Sequence, residues 1–196
     1  MDIPNRITKE EVNALPIFKY EGEIALISDQ PAFEKAMEEI AQEAVIGFDT
    51  ETRPAFKRGQ SYPTSLVQLA TRERVYLVQL AEINRMDSLV RILASAEHLK
   101  VGVALRDDFV KLRELYEFEE AGVIDVAKYT KRLGIVNTGL RNLAAIFLSR
   151  RISKGAQVSN WAKKDLTEAQ INYAATDAWV SRMLYLKIGE HIEVDD

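Results

Sequence analysis

Two groups of acidic residues, far apart in the chain, could carry out chemistry together. Asp49 and Glu51 follow the apolar run 45–48, and the side-chain period of a strand places both on the same face. Tyr173 and Asp177 are four residues apart in an amphipathic segment, so a helix places them on one side. Burying carboxylates without a cationic partner is costly. The pattern therefore favours a cluster of divalent metal ions that acts on phosphate.

A site of this kind needs carboxylates from several elements of the fold. Mg²⁺ and Mn²⁺ prefer oxygen ligands, and two such ions about 3.5–4 Å apart can hold the attacking and leaving oxygens of a phosphoryl displacement. Asp49 is expected to bridge two ions, with Glu51 beside one of them and Asp177 completing the first. An aspartate at the start of the helix after Ala104 is expected to help hold the second. Tyr173 would orient the attacking water or accept its proton.

The pattern of apolar residues predicts the elements that position these side chains. No internal repeat or linker divides the chain, so we predict one domain spanning residues 1–196. Six runs have the character of strands: 23–27, 44–51, 64–70, 74–79, 100–104 and 122–125. Because only residues 71–73 separate two of these runs, a hairpin is expected there. A hairpin followed by alternating strands and helices predicts an α/β fold with a mixed sheet covered by helices.

Capping signals indicate where the helices begin. N-caps are expected at Thr8, at Ser28 or Asp29, and at Thr167 before a long final helix. Further helices are expected over 87–96 and from Asp107 or Asp108 to Tyr116, and the chain after residue 125 reads as helical. The acidic pair and the 106–108 turn both follow strands, and strand ends are where α/β folds usually gather functional residues.

Three segments, taken in order, resemble the motifs of the DEDD superfamily of 3′→5′ exonucleases. The tyrosine-containing branch, which includes ribonuclease D and the Werner-type exonuclease domain, is the most similar. Each motif alone is common, but their order and spacing over roughly residues 24–186 are specific. The segments are 48–52 with 66–70, then 100–112, and then Trp161, 166–170, Tyr173 and Asp177. The sister branch has a histidine where this chain has Asn172, so the tyrosine branch fits better.

The resemblance implies a fold, an activity and a set of site residues. The fold would be ribonuclease H-like, with a five-stranded mixed sheet flanked by helices. The activity would be metal-dependent hydrolysis at the 3′ end of single-stranded or recessed DNA or RNA, releasing nucleoside 5′-monophosphates with two Mg²⁺ or Mn²⁺ ions. The metal ligands would be Asp49, Glu51, Asp108 and Asp177. Asp108 matches the family spacing to Lys111-Leu112, with Asp107 as the neighbouring alternative.

Residues near the acidic motifs are candidates for contact with the terminal nucleotide. Arg53, Phe56, Lys57 and Tyr62 follow the first acidic pair, although each alone is also compatible with an ordinary loop. Trp161 precedes the last motif, where a packing role is favoured over substrate contact.

Charge and composition limit the possible partners. The net charge of −4 argues against tight, sequence-independent binding to duplex nucleic acid. That objection weakens if metal ions supply positive charge locally, and two groups of basic residues flank the acidic motifs: 53–58 and 150–164. The absence of cysteine excludes thiolate zinc sites and disulfides. Without a signal-peptide pattern or an apolar run long enough for a membrane span, the cytoplasm is the expected location.

Two alternatives from other functional classes share parts of this pattern. A catalytically silent nucleic-acid-binding scaffold could use the same fold, but a binder has no use for clustered negative charge beside phosphate. A two-metal phosphatase acting on small nucleotides would suit the acidic balance. Only the exonuclease would shorten a strand stepwise. The sequence leaves the choice between DNA and RNA open, because it depends on how the site treats the 2′-hydroxyl.

Overall fold

The computed structural model describes residues 3–189, and strands and helices alternate over most of this range. The strands are β1 (Glu23–Ile27), β2 (Val45–Thr52), β3 (Thr64–Ala70), β4 (Arg74–Gln79), β5 (Leu99–Gly102) and β6 (Val123–Asp125). The helices are α1 (Lys9–Ala14), α2 (Gln30–Ile40), α3 (Asp87–Ala94), α4 (Arg106–Leu115), α5 (Val126–Arg132), α6 (Leu140–Leu148) and α7 (Glu168–Gly189), with a short 3₁₀ turn over Leu80–Glu82.

The strands form one mixed sheet in the order β1-β4-β3-β2-β5-β6. β3 is antiparallel to both β2 and β4, whereas the other neighbours are parallel. The α/β prediction is therefore confirmed, and so is the hairpin at 71–73. The sheet has six strands rather than five, because β6 adds a short parallel edge to β5 from Lys100↔Val123 to Gly102↔Asp125.

The two faces of the sheet are covered by different helices. Successive side chains along a strand point to opposite faces of the sheet. On one face, Phe48, Val67 and Leu69 form a core with apolar residues of α2, α3 and α4. Leu66 and Leu77 point the other way and pack with small residues of α7. α7 therefore lies across the face of the sheet that also carries the side chains of Asp49 and Glu51.

A single glycine sets how closely α7 approaches β2. A Cβ atom at Gly47 would collide with the backbone carbonyl oxygen of Ala178 and would lie 2.8 Å from the Cβ atom of Arg182. Backbone atoms cannot move aside as a flexible side chain can, so glycine at this position permits the contact. This close approach brings the end of β2 next to the middle of α7.

A buried lysine from strand β5 contacts the carboxyl-terminal end of helix α3. The side chain of Lys100 is fully buried, and its Nζ atom donates to the carbonyl oxygens of Ile92, Ser95 and His98 at 2.9, 2.6 and 2.6 Å. These three hydrogen bonds satisfy carbonyls at and beyond the end of the helix, where no intrahelical partner is available. The helix is consequently two residues shorter than the range 87–96 predicted from its sequence.

The first described residues run along the outside of α5, α6 and α7. We call residues 3–20 the N-terminal strap. Its backbone pairs with three separate segments: Asn5 O accepts from Val136 N at 2.8 Å, Arg151 O accepts from Phe18 N at 2.8 Å, and Tyr20 N donates to Thr176 Oγ1 at 3.1 Å. The predicted capping box at Thr8 is present and opens α1 within the strap.

Residues 149–167 differ from the helical prediction for this part of the chain. α6 ends at Leu148, and the C-cap residue Ser149 has a left-handed backbone conformation with φ of 53°. The residues that follow lack regular structure until α7, apart from a bridge between Arg151 and Ile17 of the strap. Over residues 3–189, no helix has the length and apolar character needed to cross a membrane.

Candidate active site

Four of the expected site residues line one cavity. Asp49 and Glu51 enter from β2, and Tyr173 and Asp177 enter from α7, into an open cavity of about 690 Å³. The two-residue spacing on the strand and the four-residue spacing on the helix place each pair on one side, as predicted. The close contact at Gly47 then brings the two pairs together.

Several carboxyl groups lie close together in this cavity, and their pKa values are raised. Burial raises the pKa of Asp49 well above its ordinary value, and the nearby Asp177 and Asp108 raise it further. Burial raises the pKa of Glu51 to about 10, together with the charges of Asp49 and, to a smaller extent, of Asp177 and Asp108. Burial raises the pKa of Asp177 to about 7, although the Tyr173 hydroxyl opposes that shift. Each carboxylate therefore lacks a compensating cation in its surroundings.

Asp108 completes the acidic group from a different element. It lies in the first turn of α4, where its carboxylate accepts a hydrogen bond from the Thr50 hydroxyl. Burial raises the pKa of Asp108, whereas this hydrogen bond and Lys111 oppose the shift. Asp107 is exposed to solvent. Asp108 does not itself line the cavity, but its hydrogen bond to Thr50 and its effect on the pKa of Asp49 place it, rather than Asp107, beside the other acidic residues.

The turn before Asp108 is held in an unusual backbone conformation. Ala104 has φ of 61°, a left-handed backbone value that residues other than glycine rarely adopt. Its backbone nitrogen donates to Asp125 Oδ1 at 2.9 Å, and the same oxygen accepts from Ala127 N at 3.0 Å. Asp125 thus caps α5 and fixes the strand-to-helix turn at the edge of the cavity.

Tyr173 is suited to donate a hydrogen bond. Burial raises its pKa, and the carboxylates of Asp177 and Glu51 raise it further. The phenol is therefore protonated at neutral pH. Trp161, which is 1% exposed, packs beside this ring with a centroid separation of 6.0 Å. In this structure Trp161 supports Tyr173 by packing and does not present its ring to a substrate.

The donor set fits a divalent cation, although the carboxylates do not form a closed cage. Within residues 3–189, no group of three or more histidine or acidic side chains is gathered tightly enough to enclose one ion. Asp177 Oδ1, however, is buried and accepts no hydrogen bond from the described residues. An unsatisfied buried carboxylate oxygen beside other acids is costly unless a proton or a cation meets it. Hard oxygen donors of this type match Mg²⁺ or Mn²⁺.

The other candidate substrate residues lie on the loop between β2 and β3. The guanidinium of Arg53 stacks over the ring of Tyr62 at 4.7 Å from its centroid. Phe56 is 81% exposed, and Lys57 is also exposed. The residues that line the cavity do not include these four. Their contact with a nucleotide remains a prediction.

Several residues at the site could not be assigned a role from the sequence. Gln68 pairs directly with Asp49 across the sheet, is fully buried, and finds no hydrogen-bond partner for either amide atom within the described residues. The lining of the cavity also includes Lys9, Arg141 and Lys154. Their positions depend on contacts between distant segments, and no local sequence pattern signals such contacts.

Comparison with known proteins agrees with the geometry. Residues 24–193 match a family model described as a 3′-5′ exonuclease. The chain belongs to this 3′-5′ exonuclease family. The resemblance of its motifs to 3′-5′ exonucleases is thereby confirmed, and enzymes of this family generally use divalent metal ions.

Individual relatives cover most of the chain. A ribonuclease D from Haemophilus influenzae is 29% identical over 163 residues, which are 82% of this chain and 40% of that protein. A bifunctional 3′-5′ exonuclease/ATP-dependent helicase from Mus musculus is 26% identical over 185 residues, which are 89% of this chain and 13% of that protein. The chain thus spans less than half the length of either relative.

Solved structures support the ribonuclease H-like fold. The exonuclease domain of Aedes aegypti Nibbler superimposes with a TM-score of 0.79 at 22% identity, covering 91% of this chain and 95% of that domain. Escherichia coli ribonuclease D superimposes with a TM-score of 0.76 at 21% identity, covering 86% of this chain and 46% of that protein. The predicted fold family is confirmed, with the sixth strand as the difference.

Proposed function

We propose that this protein removes nucleotides from the 3′ end of single-stranded or recessed DNA or RNA and releases nucleoside 5′-monophosphates. The observation that carries this proposal is the convergence of Asp49, Glu51, Tyr173 and Asp177 on one open cavity. The carboxyl pKa values there are raised by burial and by neighbouring acids. An anionic phosphodiester can approach such a group only when cations neutralise it.

Two Mg²⁺ or Mn²⁺ ions are the proposed cofactors, with Asp49, Glu51, Asp108 and Asp177 as their ligands. When bound, such ions place positive charge against the phosphate oxygens and lower the pKa of water. The acidic side chains hold that charge at the end of β2, where the strand meets α7. The Thr50 hydroxyl fixes the Asp108 carboxylate by a hydrogen bond, which favours its ionised form.

The protein would contribute orientation as well as ligands. A water oxygen attacks the terminal phosphorus, and the bond from that phosphorus to the 3′ oxygen of the preceding nucleotide breaks. The displaced 3′ oxygen takes up a proton and becomes the new 3′-hydroxyl of the shortened strand. The protonated phenol of Tyr173 is placed to orient the attacking water by a hydrogen bond. The cavity wall keeps the terminal nucleotide in line for this displacement.

Digestion of labelled strands tests the proposal. Oligonucleotides with a 5′ label, as single-stranded DNA, as recessed duplex and as RNA, are incubated with Mg²⁺, with Mn²⁺ or with EDTA. We expect a ladder of products shortened one nucleotide at a time, nucleoside 5′-monophosphates by chromatography, and no products in EDTA. Asp49→Ala is the control for a contaminating nuclease. Release of inorganic phosphate from nucleotides without strand shortening would instead establish the phosphatase alternative and overturn the proposal.

A further inference from the structure

The N-terminal strap lies outside the residues that match the family model, yet it forms part of the catalytic cavity. The match begins at residue 24, whereas the strap spans residues 3–20. Ile7, Lys9 and Val12 of the strap line the same cavity as Asp49 and Asp177. The strap residues therefore contribute a part of the cavity wall that the family model does not include.

The strap is fixed in place at both ends of this wall. Val136 N donates to Asn5 O at 2.8 Å before α1, and Arg151 N donates to Pro16 O at 3.0 Å after it. Arg151 Nε also donates to Leu15 O at 2.9 Å. These contacts tie the strap to the segments on either side of α6, so the wall is part of the folded protein rather than a loose terminus.

Arg141 joins the strap to the first turn of α6. Its guanidinium donates a hydrogen bond to the side-chain oxygen of Asn13. Its Nε atom is buried and has no hydrogen-bond acceptor among residues 3–189. A buried donor on a guanidinium without an acceptor is costly, and Arg141 lines the catalytic cavity. The side chain is thus held ready for an anionic ligand that enters the cavity.

Other groups on this wall favour the same kind of ligand. Lys9 and Lys154 line the cavity beside Arg141, and none of the three forms an ion pair within the part of the chain that the structure describes. The N-cap of α6 is Gly139, which offers no side-chain acceptor, and residues 139–142 at this end of the helix line the cavity. Guanidinium, ammonium and helix N–H groups together recognise phosphate.

We propose that the strap and the first turn of α6 form a strand-binding site, in which Lys9, Arg141 and Lys154 hold an internal phosphodiester of the substrate. This phosphodiester lies on the 5′ side of the one being cleaved, because cleavage at a 3′ end takes place at the last phosphodiester of the strand. The inference rests on the proposed exonuclease function. It also explains how a chain with a net charge of −4 holds a polyanionic strand: the positive charge is concentrated beside the site.

Kinetics as a function of strand length test this site. A dinucleotide with a 5′-hydroxyl has only the scissile phosphodiester, whereas a decanucleotide also offers internal ones. For Arg141→Gln we expect KM for the decanucleotide to rise roughly tenfold with kcat little changed, because one charge-assisted hydrogen bond is lost. The effect should shrink for the dinucleotide. Arg132→Gln is the matched control, since this exposed arginine of α5 stacks on Tyr129 and does not line the cavity.

Salt dependence separates phosphate contact from a structural role. Binding of a fluorescent single-stranded decanucleotide is measured by anisotropy at a fixed Mg²⁺ concentration and several NaCl concentrations, with Tyr173→Phe added to every protein so that cleavage is slow. Each lost phosphate contact should reduce the slope of log K against log salt concentration by about 0.7. Lys9→Gln, at an exposed position, provides a second variant that does not depend on the packing of Arg141.

The outcomes distinguish this inference from the proposed function. If wild type shortens strands while Arg141→Gln and Lys9→Gln leave KM and the salt slope unchanged, the strand-binding site is overturned. If the variants reduce the salt slope but wild type cleaves no strand, the binding site stands and the proposed exonuclease function fails. A folded Arg141→Gln protein, checked by circular dichroism, is required for either reading, and Lys9→Gln replaces it if that variant does not fold.

Discussion

The Thr50 hydroxyl donates a hydrogen bond to the carboxylate of Asp108, which joins strand β2 to the first turn of helix α4. Thr50 lies between Asp49 and Glu51, on the opposite face of the strand from them. One strand therefore contributes two carboxylates directly and orients a third from the other side. The acidic group is consequently built as a unit around the end of β2.

Thr50→Val removes this hydrogen bond while it keeps a β-branched side chain of similar shape. The hydrogen bond lowers the pKa of Asp108, so its loss should raise that pKa and weaken the affinity for the metal ion. Losses of roughly 10–100-fold are typical when such an outer partner of a metal ligand is removed. The measurement is the Mg²⁺ concentration that gives half-maximal cleavage, and Thr50→Ser should restore most of the affinity. An unchanged Mg²⁺ dependence in Thr50→Val would contradict this role.

Asp108 and Asp107 should differ sharply when each is replaced by alanine. Asp108 is partly buried and hydrogen-bonded to Thr50, whereas Asp107 is exposed. We expect Asp108→Ala to lose nearly all strand cleavage and Asp107→Ala to retain most of it. Initial rates with a single-stranded substrate at saturating Mg²⁺ provide the test. The reverse order of effects would assign the metal-binding role to Asp107.

Asp177→Asn should stabilise the metal-free protein while it abolishes cleavage. The pKa of Asp177 is raised to about 7 in the folded protein, above its ordinary value of 3.8. A raised carboxyl pKa means that folding favours the protonated form. The free energy of unfolding of the metal-free wild type should therefore increase as the pH falls through 7, until the unfolded state is protonated as well. Urea denaturation in EDTA from pH 8.5 to 5.5 measures this dependence.

In Asp177→Asn, the same denaturation series should be flatter and should start from a higher stability at alkaline pH. With saturating Mg²⁺, the free energy of unfolding of wild type should instead decrease as the pH falls, because protons compete with the metal for the carboxylates. Glu51 and Asp49 also have raised pKa values, so some pH dependence should persist in the variant. A metal-free wild type that loses stability as the pH falls from 8.5 to 5.5 would refute the description of the site as uncompensated acids.

Tyr173→Phe should lower turnover while substrate and metal binding are retained. The substitution keeps the ring that packs beside Trp161 and removes only the hydroxyl. A loss of roughly 10²–10⁴-fold in the single-turnover rate is the scale expected for a group that positions a proton in the reaction. Metal binding is checked by calorimetry. Unchanged cleavage would remove Tyr173 from the reaction, and lost metal binding would show that the hydroxyl acts by supporting Asp177.

Gly47→Ala should damage stability and activity together. The added Cβ atom would meet the carbonyl oxygen of Ala178 and force α7 away from β2. Overpacking of this kind typically costs about 1–3 kcal/mol. Thermal unfolding and strand cleavage are measured in parallel. Gly189→Ala is the matched control, because a Cβ atom at that end of α7 meets nothing. Full activity in Gly47→Ala would show that the site tolerates a wider separation of the two elements.

The sequence predicts those parts of the fold that depend on local periodicity. The hairpin strands Thr64–Ala70 and Arg74–Gln79 lie where the alternation of apolar residues places them. The end of α3 does not lie where the sequence predicts it, because the buried Lys100 contacts carbonyl groups between residues 92 and 98. The sequence also predicts helix over residues 149–167, but Arg151 at the start of this segment forms a bridge with Ile17 of the strap instead.

The site likewise contains residues that the sequence predicts and residues that it does not. The sequence was sufficient to group four of the residues: Asp49, Glu51, Tyr173 and Asp177. The strand period places the first pair on one face, the helix period places the second pair on one face, and the motifs occur in the order typical of the family. The wall containing Arg141 could not be predicted, because it exists only where the strap meets α6. Trp161 illustrates the same limit: an aromatic residue before a catalytic motif has the same sequence signature whether it is exposed or 1% exposed.

The contact between Gly47 and Ala178 has a consequence for biosynthesis. β2 leaves the ribosome before α7, so Asp49 and Glu51 are synthesised well before Tyr173 and Asp177. At a synthesis rate of about 5–20 residues per second, this interval lasts several seconds or more. A nascent chain in that interval has half of its acidic cavity and no cleavage centre. Until α7 docks on the sheet, the growing polypeptide therefore lacks the complete acidic cavity that the proposed cleavage requires.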